Sequence, residues 1–314
     1  MFRLPRFLSS SILRIRGTIV SAFVQKEIQP TTSAMPLPSP PQPVKVALVL
    51  GAGAAKGFAH IGILKVLEAN QVPIHMVVGT SVGSLVGSLY AYGYNPLQVQ
   101  AIALALEKSD LFDLVLPDNG FIKGEKLADF VNQKVQNTPL EKLEIPFYAV
   151  ATDIENGREF VFDKGDTGTA VRASCSIPGV FRPVRIGEQM FVDGGLVSPV
   201  AVDAAKKYGG DVIIAVDVLS GVSGPKPEST IKTLLQSIDI MHAQLSAIQC
   251  AQADIVIKPQ VDDIGSSDFT KRNEAILEGE KAAMEALPNL RSILDRYQKE
   301  GRLKLPGKDL LSSP

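Results

Sequence analysis

The run His75-Met76-Val77-Val78-Gly79-Thr80-Ser81-Val82-Gly83 carries a short apolar segment into Gly-x-Ser-x-Gly, and a second apolar segment, Leu85-Val86-Gly87-Ser88-Leu89-Tyr90, follows it. That order predicts a strand, a sharp turn and a helix. Such a turn is a nucleophile elbow. The serine occupies a strained bend, and the flanking glycines remove side chains that would clash there. Its hydroxyl is held at the mouth of the sheet, over the positive end of the next helix. A plain strand-to-helix turn of small residues has the same signature, so the rest of the chain must separate the two readings.

Outward from this run the pattern alternates. Residues 44–50 read as an almost wholly apolar strand, and a Gly/Ala turn leads to a helix over 58–70 with Ile61, Leu64 and Leu67 on its apolar face. A strand over 74–78 and a helix over 84–93 flank the elbow, with Gly93 and Pro96 punctuating before a helix over 96–107. A helix is expected over 126–136, and strands over 146–152 and 158–163 pair around Glu155-Asn156-Gly157. A short helix over 170–176 stops at Pro178, a strand over 189–192 enters Asp193-Gly194-Gly195, and a helix over 200–208 precedes a buried strand over 212–218. Beyond the loop 220–227, helices are expected over 228–250 and 270–299, with a last strand at Ile255-Val256-Ile257. Buried strands alternating with helices predict an α/β fold with a mainly parallel central sheet.

The 314 residues are 45% hydrophobic and 21% charged, which suits a globular chain with a sizeable core, and the net charge of −1 gives no ground for a nucleic-acid partner. The charge is uneven, because residues 1–45 hold six Lys or Arg against Glu27 alone. Arg14 and Arg16 interrupt what would be the apolar core of a secretory signal, and the uncharged run 17–25 is too short to span a bilayer. A basic amphipathic arm touching an anionic membrane is one reading of this segment; an extension without a role is the other. The absence of any acid before Glu27 is also a feature of transit peptides. Residues 30–43 form a proline-rich linker. The expected organisation is therefore an arm and linker over 1–43, a catalytic domain over 44–219, and a mainly helical extension over 220–314 packed on that domain. Two cysteines, Cys175 and Cys250, make no disulfide framework and point to a reducing, cytoplasmic setting, peripheral to the membrane if the arm docks. No ligand spacing calls for a metal, and no cofactor is expected.

Gly51-Ala52-Gly53-Ala54-Ala55-Lys56-Gly57 follows the first strand and opens a helix. As a dinucleotide fingerprint its third glycine is one residue late, and as a phosphate loop it lacks Gly-Lys-Ser/Thr. What remains is an oxyanion hole of backbone N–H groups. Asp193 reads as a turn cap or as a base for Ser81. Among the histidines, His75 starts the elbow strand at its far end, and His60 in the first helix fits a buried structural role. His242 follows Asp193 in the Ser…Asp…His order of α/β-hydrolases, but Ile240-Met241-His242-Ala243-Gln244 is plain helix with no turn to present it. If no histidine serves, a partly desolvated aspartate can accept the serine proton directly.

Gly51-Ala52-Gly53-Ala54-Ala55-Lys56-Gly57, Gly79-Thr80-Ser81-Val82-Gly83 and Asp193-Gly194-Gly195 stand together in this order. With Ala59-His60-Ile61-Gly62 and Ala173-Ser174-Cys175-Ser176-Ile177-Pro178-Gly179-Val180-Phe181 they resemble the patatin-like phospholipase family, in particular its small bacterial members. The resemblance covers about 44–218. It implies a three-layer α/β fold and a metal-independent lipid acyl hydrolase acting on a phospholipid, lysophospholipid or other acyl ester. Ser81 would be the nucleophile and Asp193 its base. Amides around Gly53 and Ala54 would form the oxyanion hole, and Lys56 would shape the loop. Many relatives carry three glycines where this chain has Ala52-Gly53-Ala54, so the hole survives if neither alanine needs a positive φ. Two rivals are a lipid-binding regulatory module with an idle Ser–Asp pair and an esterase using Ser81, Asp193 and His242. The apolar segment 111–116 fits an acyl channel or ordinary core.

Overall fold

The structure is a computed structural model that describes residues 42–111, 113, 122–219, 228–266 and 268–303. The basic arm, nearly all of the proline-rich linker, the loop 220–227 and most of 112–116 lie outside the described residues. The elements run β1 (Val46–Leu50), α1 (Ala59–Ala69), β2 (Met76–Thr80), α2 (Val82–Ala91), α3 (Pro96–Ala105), α4 (Lys108–Leu111) and α5 (Glu125–Lys134). Then come β3 (Phe147–Asp153), β4 (Arg158–Phe162), α6 (Thr167–Ser174), β5 (Val184–Ile186), β6 (Gln189–Asp193), α7 (Val202–Lys207), β7 (Val212–Val216), α8 (Thr230–Cys250), β8 (Ile255–Ile257) and α9 (Arg272–Lys299). Helix α2 begins two residues earlier than its apolar pattern predicts, directly after Ser81. Strand β5 and helix α4 are not predicted at all, since elements this short carry no readable period.

The strands form one sheet with a parallel centre and an antiparallel end. β3, β2, β1, β7 and β8 are parallel neighbours, while β4, β6 and β5 attach antiparallel. Every residue of β1, β2 and β7 is buried, as expected where both faces of a sheet are covered. Val46, Leu48 and Leu50 point into one core with side chains of α1, α2, α5, α6 and α9. Ala47 and Val49 point into a second core with Val202, Ala204 and Ala205 of α7. Helix, sheet and helix therefore make three layers.

The pairing of β3 governs the site. Val150 of β3 pairs with Thr80 of β2, and the next residue, Ala151, pairs with Asp193 of β6. Both β2 and β6 must lie on the edge of β3 opposite β4, because β4 pairs with residues 149–153 throughout. β2 arrives parallel and β6 antiparallel, so their C-terminal ends meet head-on along one edge.

Helix α9 joins the same core as α1, contributing Ala275, Ile276, Ala283, Leu287, Leu290 and Leu294. The two helices cross at glycines. A Cβ on Gly62 would lie 1.9 Å from the Ile276 carbonyl oxygen, and one on Gly279 would lie 2.0 Å from the Ala59 carbonyl oxygen. No side-chain rotation relieves a clash with backbone, so Gly279→Ala is expected to lower the unfolding free energy by about 2–3 kcal/mol. Urea unfolding measures this, and a loss under about 0.5 kcal/mol would contradict the close crossing.

Candidate active site

Ser81 sits between β2 and α2 at φ 55° and ψ −125°. A serine in that region costs about 1–3 kcal/mol and persists only where its surroundings fix it. Several contacts do so. The Ser81 N–H donates to Ser174 Oγ at 2.8 Å, and Ser174 Oγ donates to the Val150 carbonyl at 2.6 Å. The Ser81 carbonyl accepts from the N–H of Ser84 at 2.8 Å and from Ser84 Oγ at 2.7 Å. Thr80 Oγ1 donates to the Ser198 carbonyl at 2.9 Å. The flanking glycines let α2 approach the sheet: a Cβ on Gly79 would lie 2.5 Å from Ser84 Cα, and one on Gly83 2.1 Å from the Leu50 carbonyl oxygen. Ser174 is the positioning residue that the sequence left unassigned. Its motif was visible, but its partners lie in other elements.

Ser81 Oγ donates to Asp193 Oδ2 at 2.6 Å, and both residues are buried. The other carboxylate oxygen accepts from the Gly195 N–H at 2.7 Å, so the same aspartate also caps the short 3-10 turn Gly194–Leu196. The two readings of Asp193, cap and serine partner, thus hold together, one on each oxygen. Main-chain bonds hold the residue: its N–H donates to the Ser176 carbonyl at 2.9 Å, and its carbonyl accepts from Thr152 Oγ1 at 2.9 Å. Burial raises the carboxyl pKa from 3.8 to about 6, against the lowering effect of the bonds from Ser81 and Gly195.

In the glycine-alanine loop most amides are engaged. Gly51 N–H donates to Val216 O, Ala52 to Pro199 O, Ala55 to Ser266 O and Lys56 to Gly53 O, at 2.8–3.1 Å. The N–H groups of Gly53 and Ala54 have no partner among the described residues. Both residues line the cavity that holds Ser81 and Asp193. Ala54 does adopt a positive φ, 47°, so the condition placed on the alanines is not met, yet the residue takes up the conformation and keeps its N–H unpaired among the described residues. Its Cβ therefore sits in the left-handed region that the relatives' glycine would enter freely. Gly51 and Gly194 abut the carbonyls of Val216 and Val150, and Gly57 abuts the Val82 side chain. Lys56 is 5% exposed in the 3-10 turn Ala54–Phe58 and lines the same cavity.

The histidines divide. His60 is buried, and its Nε2 donates to the Gly51 carbonyl at 2.8 Å, fixing the first residue of the loop. Burial lowers its pKa to about 4, so it is neutral at pH 7. His75 Nδ1 accepts from the Val46 N–H at 3.0 Å, at the far end of the strand. His242 is nearer the site than its plain helical setting implies, because α8 itself lies against the site and needs no turn to present the ring. Its Cε1 and Nε2 lie 2.6 and 2.7 Å from where a Cβ on Gly195 would stand. Its Nε2 bonds neither Ser81 nor Asp193.

These groups open onto a cavity of about 650 Å³ whose lining is mostly apolar, with Val86, Leu89, Val99, Ile102, Leu127 and Phe130 among its residues. Leu111 also lines it, while most of the remaining 112–116 segment lies outside the described residues. Among the described residues, no cluster of three His, Cys, Asp or Glu could hold a metal, and no helix is long and apolar enough to cross a membrane.

The left-handed Ala54 gives a stability test. Relief of strain worth about 1–2 kcal/mol exceeds the entropic cost of glycine, about 0.5–1 kcal/mol, so Ala54→Gly is expected to match or exceed the wild type in urea unfolding. Ala52→Gly, at a buried site without positive φ, is expected to lose about 1 kcal/mol. The reverse order of the two variants would contradict the loop geometry.

Residues 48–206 match the family model described as patatin-like phospholipase. The lysophospholipase nte1 of Neurospora crassa is 29% identical over 89% of this chain and 22% of its own length. An NTE family protein of Mycobacterium tuberculosis is 31% identical over 65% of this chain and 57% of its own. The chain thus spans about a fifth of the fungal relative and little over half of the mycobacterial one. VipD from Legionella pneumophila shares the fold at a TM-score of 0.52 and 13% identity, over 79% of this chain and 67% of that one. The matched span takes in the glycine-alanine loop, the elbow and the Asp193 turn, and on that match the chain belongs to the patatin-like phospholipase family.

Proposed function

We propose that the chain is a serine hydrolase that cleaves the carboxylic ester of a phospholipid or lysophospholipid through Ser81 and Asp193. The observation that carries this reading is the 2.6 Å hydrogen bond from Ser81 Oγ to a buried carboxylate, inside a mostly apolar cavity lined by two amides unpaired among the described residues. The fungal relatives are named lysophospholipases, which agrees with it.

The chemistry follows from the geometry. Asp193 Oδ2 takes the hydroxyl proton as Ser81 Oγ attacks the ester carbonyl carbon. The carbonyl oxygen becomes an oxyanion facing the Gly53 and Ala54 N–H groups, each such donor being worth about 10²–10³ in rate. As the tetrahedral species collapses, the alcohol leaves with the proton from Asp193 and the acyl group stays on Ser81. Water then attacks the acyl-enzyme, with Asp193 again accepting a proton and handing it to Ser81 Oγ as the bond to the acyl carbon breaks and the carboxylic acid departs. A carboxylate in water is a poor base for this. Burial that lifts the pKa to about 6 brings it closer to the operating pH, where proton transfer is most effective. Direct contact between Ser81 and Asp193 leaves no room for an imidazole between them, which favours the two-residue arrangement over one using His242.

Fluorophosphonate labelling and hydrolysis of a p-nitrophenyl acyl ester test the reading together. The wild type is expected to be labelled and active. Ser81→Ala is expected to lose both label and activity, the latter by at least about 10⁴-fold. A folded wild type that takes no label would instead favour the idle lipid-binding module. Since only the ionised carboxylate accepts the proton, kcat/KM is expected to rise as pH climbs through about 6 and then level off. A profile flat from pH 5 to 8 would remove Asp193 as the base.

The same burial has a cost in stability. The folded carboxyl, at about 6, holds its proton more tightly than the unfolded one at 3.8, so the wild type loses stability as pH rises between those values. Asp193→Asn cannot ionise. It is expected to be inactive yet about 1–3 kcal/mol more stable than the wild type at pH 8, the gain vanishing by about pH 4. Denaturant unfolding at the two pH values reads the difference.

A further inference from the structure

The wall of the cavity is divided by element. Helices α2, α3 and α5 give it only apolar side chains, whereas α8 and the segment after β8 set Gln236, Asp239, His242 and Ser266 among Leu235, Ile238, Ile264 and Phe269, and Lys56 adds a cation from the glycine-alanine loop. Asp239 Oδ2 accepts from Ser266 Oγ at 3.2 Å, and the Ser266 carbonyl takes the Ala55 N–H, which ties this polar wall to the glycine-alanine loop. An ester of a fatty acid with a polar alcohol has the same division, and its chain matches the apolar wall. The alcohol then faces α8.

His242 is the unsatisfied member of that wall. It is 7% exposed, and its Nε2 is buried without a hydrogen-bond partner among the described residues. A buried polar atom left unpaired is costly and calls for an explanation. The position of the ring suggests one. The point occupied by a Cβ on Gly195 would be 2.7 Å from His242 Nε2 and 3.0 Å from Asp193 Oδ1. Gly195, which has no side chain, leaves the imidazole beside the carboxylate, within a few bond lengths of the ester being cleaved. Burial lowers the pKa of His242 to about 4, so the ring is neutral at pH 7 and presents one donor and one acceptor nitrogen. A hydroxyl satisfies Nε2 in either tautomer, since it both donates and accepts. An ester oxygen can only accept, and an anionic phosphate would be matched by an imidazolium rather than a neutral ring.

We infer that His242 is a specificity-determining residue whose Nε2 hydrogen-bonds a free hydroxyl on the alcohol portion of the ester. This rests on the hydrolase reading given above.

The test compares a 1-acyl glycerophospholipid with its analogue in which the free 2-hydroxyl is replaced by hydrogen. The wild type is expected to favour the hydroxyl lipid by about 10- to 100-fold in kcat/KM, the range for one buried hydrogen bond left unmade. His242→Phe should bring that ratio close to one, and His242→Gln, which keeps a hydrogen-bonding group, should restore part of it. Equal turnover of the two lipids by the wild type would overturn the inference without any variant. A ratio unchanged in His242→Phe would overturn it as well, because a merely structural role lowers both rates together. A wild type that cleaves the p-nitrophenyl ester but does not distinguish the lipids fails this inference alone. One that cleaves nothing and takes no fluorophosphonate fails the hydrolase reading itself.

Discussion

One edge of β3 carries two strands end to end, and the geometry of the site depends on that constraint. Thr80 and Asp193 pair with successive residues of the same strand, so the elbow and the acid are set beside each other by backbone hydrogen bonds. Side-chain packing then needs only to finish the placement. A slip of one residue would carry every side chain of a strand from one core into the other, where its volume does not match the packing. Here both faces of the central strands are covered, and the 2.6 Å contact between Ser81 and Asp193 inherits that precision.

Around this constraint the chain holds several unfavourable features in place. Ser81 and Ala54 adopt positive φ, a carboxylate is buried where its charge is poorly solvated, and two amides and an imidazole nitrogen lack partners among the described residues. Each costs about 1–3 kcal/mol. The cores on both faces of the sheet, and the close crossing of α1 with α9, offset these costs. Strain gathered at one place and stability spread over the rest is what a preorganised site requires.

Much of this was legible in the sequence because its causes are local. The elbow is announced by Gly79 and Gly83, whose missing side chains allow α2 to approach the sheet, and the Asp193 turn by the two glycines after it. The strands of the parallel centre are short, apolar and punctuated by turns. What escaped depends on partners distant in the chain. Nothing near Ser174 says that its hydroxyl will bridge the Ser81 amide and the Val150 carbonyl. Gly62 and Gly279 look like weak points in helices until the other helix is known to cross there. The φ of Ala54 belongs to a loop anchored at the carbonyls of Val216, at the end of β7, and of Pro199, ahead of α7. His242 reaches the cavity without a turn because helix α8 lies against the site as a whole, a fact of packing that its local sequence does not carry.

The two halves of the couple are not equally secured. Ser81 follows a strand locked between parallel neighbours, whereas Asp193 ends a strand joined to β3 by three residue pairs and flanked only by the three-residue β5. Local opening in proteins begins where few pairings hold an element. Fraying of this peripheral hairpin would withdraw Asp193 while Ser81 and the parallel core stayed native, leaving a molecule that is intact by every global measure and yet, on the proposed reading, chemically silent.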